Sequence, residues 1–305
     1  MTLASAGSGS RAATPVLRKS SGFGTALGKR ARLRIINVVC LVVLVVSAAI
    51  VLLPLFWLAE TAFKSPLDAY VMPPKFIFSP TLVNFRDLLQ EQSDQYGQDL
   101  VHSLVLLAAS VSVALVLGTP AGYALSRSKF RGSRAVSVGL ISIYIAPALV
   151  YIVPLYVLYQ KLHLTGSYVS LVLYYETFEL PFVTFMMRGF FSDVPLELDD
   201  AARVDGCSRW LAFRRILLPL VLPGLSTVAI LAAIGSWGEY FGALIFSGPS
   251  TQTAPVDLAN YIGLDASDWG ALAAGSLFLI VPVLVLVTFL QRGYLRRITF
   301  RGSTG

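Results

Sequence analysis

The sequence predicts an all-α integral membrane protein of six transmembrane helices with both termini in the cytoplasm. Three observations carry this expectation. Hydrophobic residues fill 55% of 305 positions and charged residues 13%, where a soluble chain carries about 25% charge. Six apolar runs each approach the roughly 20 residues that cross a bilayer. Basic residues fall almost entirely on one side of those runs, as the positive-inside rule describes. The net charge of +7 therefore reads as topology, not as a nucleic-acid surface.

The elements follow in order. Residues 1–34 are rich in Ser, Gly and Ala and hold seven basic residues, a composition that predicts a disordered cytoplasmic tail. Residues 35–58 contain no charge over 24 positions. A signal-peptide core is about 7–15 residues long, so this run is read as a retained span. Further spans are expected at 101–125, 136–160, 168–187, 220–247 and 272–291. Prolines inside the third (Pro147, Pro154) and fifth (Pro223) are tolerated where neighbours satisfy the freed carbonyls. The proline-rich loop 60–100 is expected to be an ordered cap with a helix near "TLVNFRDLLQ". With the N-terminus inside, the cytoplasmic segments 1–34, 126–135, 188–219 and the C-terminal tail hold 20 of 24 basic residues; Lys64, Lys75, Arg86 and Lys161 remain outside. The permease domain is thus 35–295, with a tail at 296–305.

Cys40 and Cys207 show no metal spacing and no disulfide framework, and His102 and His163 complete the set of imidazoles. No zinc or redox chemistry is expected. His102 is expected to be a satisfied polar group near the end of the second span.

One cytoplasmic segment, "ELDDAARVDGCSRWLAFRRILLPL" (Glu197–Leu220), does not fit a greasy chain. Pro195 suits the first turn of a helix, and Glu197, Asp199 and Asp200 favour its positive end. Leu198, Ala201, Ala202 and Asp205 share a face by i, i+3, i+4 spacing. Gly206 suits the left-handed residue that ends such a helix, and Ser208 can cap a second one. The residues alone leave two readings, a solvated loop or a handle that a partner grips closely.

A resemblance decides between them. The segment is similar to the cytoplasmic motif of bacterial ABC importer permeases: Glu-Ala-Ala, three residues, Gly, nine residues, Ile, one residue, Leu-Pro. Here that pattern falls on Asp200, Ala201, Ala202, Gly206, Ile216, Leu218 and Pro219, with Asp200 in place of the leading Glu. "YVMPPKFIFSPTLVNF", "HSLVLLAASVSVALVLGTPAGYALSR", "LPFVTFMMRGFFSDVP", "SWGEYFGALIFSGPSTQT" and "QRGYLRRITFRGSTG" extend the likeness over residues 35–305. They resemble carbohydrate importers of the maltose-transporter type, with His102 and Gly238 where many relatives have Asn. The resemblance implies the type I ABC importer permease fold in the bacterial cell membrane. It also implies a coupling segment at about 190–219, with Asp200, Ala201, Ala202, Asp205, Gly206, Ile216, Leu218 and Pro219 docking on an ATPase. The implied partners are a second permease subunit, two cytoplasmic ATPase subunits and an extracytoplasmic sugar-binding protein. The chain lacks any GxxxxGK[ST] or Gly-rich phosphate loop, so ATP and Mg²⁺ belong to the partner, and no cofactor or catalytic residue is assigned here.

Three carboxylates fall within spans, Glu176, Glu179 and Glu239. A charge at the bilayer centre costs at least ~2.5–3.5 kcal/mol, so each is expected to face a cavity or a partner. Glu176 and Glu179, three apart, share a face; sugar hydroxyls or helix–helix hydrogen bonds both suit them. Tyr144 and Tyr151, seven apart, are candidates for stacking on a sugar or for interface packing. The same machinery would also suit a glycerophosphodiester. A stand-alone secondary transporter should show internal repeats and a relay of buried ionisable groups, and neither is visible.

Overall fold

A computed structural model describes residues 23–90, 95–127, 132–262 and 268–301. Their regular structure is helical throughout. The helices are α1 (Phe23–Ala62), α2 (Pro66–Ala69), α3 (Val83–Gln90), α4 (Gln95–Arg127), α5 (Ser133–Ile145), α6 (Ala148–Lys161) and α7 (Tyr168–Ser192). They continue with α8 (Glu197–Val204), α9 (Arg209–Ala212), a π turn at Phe213–Leu217, α10 (Leu218–Trp237), α11 (Phe241–Phe246), α12 (Ala254–Ala259) and α13 (Trp269–Arg301).

The chain divides into two units at Phe56 and Trp57. In the first, α1 exposes its large apolar side chains from Leu33 onward. A helix apolar on every face needs an apolar surrounding. The helix starts at Phe23, so the stretch read as tail is helical from there on; residues 1–22 lie outside the described residues. Ala26, Leu27, Lys29, Arg30 and Ala31 are strong helix formers, which charge patterning alone does not reveal.

The second unit is organised around α7, which lies along α4 and also meets α5, α10 and α11. The α4–α7 approach is close because Gly118 and Gly122 face it. A Cβ at Gly118 would sit 2.8 Å from Val183 Cγ1, and one at Gly122 would sit 2.8 Å from the Arg188 backbone nitrogen. The stretch "GTPAG" is thus a small-xxx-small seam of the kind that lets membrane helices touch through their backbones. In the loop after α1 the expected helix near "TLVNFRDLLQ" is α3, and residues 91–94 lie outside the described residues. Asn84 of α3 donates to the Ala62 and Lys64 carbonyls at 2.9 and 2.7 Å, and Lys64 pairs with Glu60 at 2.8 Å.

Among the described residues, four helical stretches are long and apolar enough to cross a membrane: Arg32–Ala62, Gln95–Arg127, Arg209–Trp237 and Trp269–Phe289. The third predicted span, 136–160, is not one straight helix. It is the pair α5 and α6, bent by 93°, and it makes a fifth span if the pair is counted as one. Ala146 is extended (φ −64°, ψ 140°), because the Pro147 ring disfavours the helical region for the residue before it. Pro154, by contrast, sits inside α6. The predicted span 220–247 likewise ends early, at Trp237, and resumes as α11. The predicted span 168–187 is helical over 25 residues, long enough for a bilayer at 1.5 Å per residue. Its glutamates and tyrosines keep it less apolar than the other four.

Candidate functional site

Two places collect the residues singled out by the sequence. The first is Glu197–Leu220. α8 carries Glu197, Asp199 and Asp200 in its first turn, and it starts two positions after Pro195, not on it. The Gly206 amide donates to the Arg203 carbonyl at 3.1 Å and the Cys207 amide to the Ala202 carbonyl at 2.9 Å. This is the paired closure of a Schellman cap, and Gly206 holds φ +83°. Ser208 then accepts from the Leu211 amide at 3.2 Å and starts α9. The π turn follows and runs on into α10, whose second residue is Pro219.

The motif residues do not all face one way. Asp200, Ala201, Asp205 and Gly206 are exposed, whereas Ala202 is buried at 3% exposure. The expectation that both alanines seat a partner is corrected here: at 100° per residue, Ala202 turns onto the inward face with Asp199, three positions before it. Ile216 and Leu218 are half-buried and Pro219 is exposed. Leu196, Leu198, Val204 and Trp210 are exposed around the handle, Val204 at 88%.

Tyr123 and Arg127, given no site role by the sequence, join Asp199 of the acidic first turn to hold α8 in place. Asp199 accepts from Arg127 Nε at 2.8 Å and from the Tyr123 hydroxyl at 2.9 Å. Arg127 also donates to the Phe191 and Val194 carbonyls at 2.9 and 3.1 Å. The available signal was Tyr123 and Arg127 four apart at the end of a predicted span, one face of a helix aimed at the next loop.

The second place is a cavity of about 370 Å³. α7 contributes Tyr174, Tyr175, Phe178, Glu179 and Phe182; α10 contributes Leu231, Ala232, Gly235 and Ser236; Tyr144, Ala146, Ala148 and Glu239 complete the ring. Three of the five predicted path residues, Tyr144, Glu179 and Glu239, therefore meet. Tyr144 stacks on Phe182 with centroids 5.2 Å apart. Glu179 takes a long 3.5 Å hydrogen bond from Ser110, and its Oε2 has no hydrogen-bond partner among the described residues.

Glu239 is committed to the backbone. It accepts from the Gly242 and Ala243 amides at 2.9 and 3.0 Å and from the Tyr174 hydroxyl at 3.2 Å. It thereby caps α11 at its N-terminus, where amides lack partners. The arrangement depends on Gly242, whose Cβ would lie 1.9 Å from Tyr174 Cε1. Gly242→Ala should lower the melting temperature of the detergent-solubilised protein by about 2–10 °C, an overpacking cost spread over a chain of this size. Thermal unfolding followed by fluorescence checks this.

Glu176 and Tyr151 do not line the cavity. By spacing Glu176 shares the Glu179 side of α7, yet both its carboxylate oxygens are buried with no hydrogen-bond partner among the described residues. Tyr151 lies beyond the 93° bend, so its spacing from Tyr144 no longer sets a common face; it packs edge-on against Phe178 at 5.5 Å. His102 is satisfied as expected, with Nδ1 3.1 Å from the Gln252 carbonyl and 3.3 Å from Asp99 Oδ1. Among the described residues no His/Cys/Asp/Glu group is placed to hold a metal ion.

Residues 114–300 match the family described as "Binding-protein-dependent transport system inner membrane component", a range that spans both places. The chain belongs to this family. It is similar to the diacetylchitobiose uptake system permease protein DasC of Streptomyces coelicolor, 33% identical over 78% of this chain and 87% of that one. The trehalose transport system permease protein SugB of Mycobacterium tuberculosis is 31% identical over 79% and 88%. A solved bacterial ABC transporter involved in import of the acidic polysaccharide alginate shares the fold, with a TM-score of 0.73 and 20% identity over 92% of this chain and 99% of that one. The family and the apolar helices make this transport component a multi-pass membrane protein.

Proposed function

We propose that the chain is one permease subunit of a binding-protein-dependent ABC importer for a di- or oligosaccharide or a polyol. The exposed handle at Asp200–Gly206 carries the proposal: a short helix closed by a left-handed glycine, with Ala201 outward, in a chain without a nucleotide site. Asp200, Ala201, Asp205 and Gly206 dock on a cytoplasmic ATPase that holds ATP and Mg²⁺. Ile216, Leu218 and Pro219 join the handle to α10, and Ala202 packs it against the protein. ATP-driven closure of the ATPases shifts the permease between inward- and outward-facing states.

The rest of the assembly is a second permease subunit, a second ATPase and an extracytoplasmic binding protein. Six spans, with α7 and the α5–α6 pair each crossing once, put both termini and residues 190–219 in the cytoplasm. The basic residues at 1–34, 126–135, 188–219 and 292–301 support that orientation.

Sugar is favoured by the relatives named for diacetylchitobiose and trehalose and by the cavity. Glu179 offers an acceptor to hydroxyl donors, and Tyr144 and Phe182 offer ring faces. No Lys, Arg or His lines the cavity, which disfavours a glycerophosphodiester. Glu179→Gln should reduce uptake about three- to tenfold without changing the amount of inserted protein, the loss expected for one hydrogen bond.

Uptake of labelled maltose, trehalose, other small oligosaccharides, polyols and glycerophosphocholine, in a strain lacking the gene, tests the proposal. Loss of one sugar, restored by the wild-type gene, supports it. Loss of glycerophosphocholine alone replaces the substrate class. Uptake that survives ATP depletion with the ion gradient intact contradicts the ABC reading.

A further inference from the structure

Arg127, Tyr123 and Asp199 do more than satisfy one another. The link between α7 and α8 is the four residues 193–196, and a link of that length would let an eight-residue helix swing as a free lever. Arg127 spans it. One guanidinium bonds the Phe191 carbonyl in the last turn of α7, the Val194 carbonyl within the link and Asp199 in the first turn of α8. The same side chain belongs to the last residue of α4, so three helices meet on one group.

Every charge stands where the helix dipoles favour it. The cation lies at the C-terminal ends of α4 and α7, and the carboxylate lies at the N-terminal end of α8. The Arg127 and Asp199 side chains are 13% and 15% exposed, and the short, charge-assisted bond between them is of the stronger class. Around them Tyr123, Phe191 and Phe213 form a ring cluster with centroids 5.1–5.9 Å apart. Phe213 opens the π turn that leads into α10.

We propose that this cluster is the joint that passes movement of α8 to both walls of the cavity, with Arg127, Asp199 and Tyr123 as positioning residues for transport. The proposal rests on the coupling reading of the 197–219 segment. With the joint closed, α8 and the end of α7 move as one body. Glu179 is twelve residues up α7 from Phe191, about 18 Å along a rigid helix. Through Phe213 the joint also reaches α10, which supplies Leu231, Ala232, Gly235 and Ser236 to the opposite wall. Lysine cannot replace Arg127. An ammonium is a point charge, whereas the guanidinium holds its donors in a fixed fork that serves all three acceptors at once.

The test needs no knowledge of the solute. The chain is co-expressed with its partner permease and ATPase and purified as the assembled complex, with Cys40→Ser and Cys207→Ser removing the native thiols. Ser236→Cys then reports on the cavity wall through its rate of labelling by a maleimide. With the joint intact, that rate should differ about tenfold or more between nucleotide-free and vanadate-trapped complexes. Arg127→Lys and Asp199→Asn should shrink the difference to about twofold or less while ATP hydrolysis per complex stays within about twofold of the parent. A merely structural role would lower assembly and hydrolysis together.

Should Arg127→Lys fail to assemble, Asp199→Asn decides, because it removes a charge and keeps the shape. A full labelling difference in an assembled joint variant overturns the proposal. Gly206→Asp, run in parallel, separates the two claims. If it too keeps the full difference, or the intact complex shows none, the coupling reading has failed. If Gly206→Asp abolishes the difference and the joint variants do not, the joint alone has failed.

Discussion

Gly206→Asp is expected to abolish solute uptake while leaving the protein folded and in the membrane. Gly206 holds φ +83°, a conformation that costs an L-residue roughly 1–2 kcal/mol and that aspartate tolerates better than most. A Cβ there meets nothing within 4 Å, so no neighbour inside the chain is displaced. Domains are stable by about 5–15 kcal/mol, and the backbone strain alone does not unfold one. The new carboxylate instead projects from the exposed turn beside Asp205, into the space that a docked ATPase would occupy. Uptake should fall at least about thirtyfold, because losing a tightly seated contact at an interface centre costs about 2 kcal/mol or more. Membrane fractionation and uptake on the same cells check both halves of the expectation.

Gly122→Leu should have the opposite character, with little folded protein at all. A Cβ at Gly122 would lie 2.8 Å from the Arg188 backbone nitrogen, 2.9 Å from Met187 Cβ and 2.9 Å from the Thr184 carbonyl oxygen. Two of these are backbone atoms of α7, which cannot swing aside as a side chain can. The helices must part, and with them the seam that Gly118 continues one turn earlier. Overpacking a core usually costs about 1–3 kcal/mol, but here a whole leucine enters a helix–helix contact. Size-exclusion chromatography of detergent-extracted protein should show the monodisperse peak reduced about tenfold or more, because prising α4 from α7 removes most of the about 5–15 kcal/mol that keeps a domain folded. A wild-type peak would mean that α4 and α7 do not rely on this contact.

These two glycines show what the sequence made legible. The Gly206 turn followed from local chemistry: an acidic first turn, a small residue for the left-handed cap and a serine to restart the helix. Such signals act within a few residues, and the structure carries them out bond for bond. The bend at Ala146–Pro147 was also written locally, but proline inside a membrane helix has two outcomes. Pro154 is accommodated in α6 while Pro147 separates two helices, and only the packing of neighbours distinguishes them.

The cavity was half legible. Glu179 was expected to face a cavity or a partner, and Tyr144 to stack on a sugar or pack at an interface; both line the cavity. Glu176 was grouped with Glu179 by spacing, yet of the two only Glu179 lines the cavity, and both Glu176 oxygens are buried with no hydrogen-bond partner among the described residues. Glu239 lines the cavity but spends its oxygens on the amides of α11, since the break after Trp237 leaves them uncapped. The Arg127–Asp199 contact joins residues 72 apart in sequence, and no local rule reports a pairing at that range.

The measurement that tests the central claim most directly is a contact map of the handle. Val204 is 88% exposed and next to the motif, so a benzoylphenylalanine placed there reports what the handle touches. In the complex co-expressed with its ATPase, illumination is expected to yield an adduct of Val204 with the ATPase subunit, and Gly206→Asp should remove it. An assembled, ATP-hydrolysing complex in which Val204 forms no adduct with the ATPase would contradict the assignment of Glu197–Pro219 as the coupling segment.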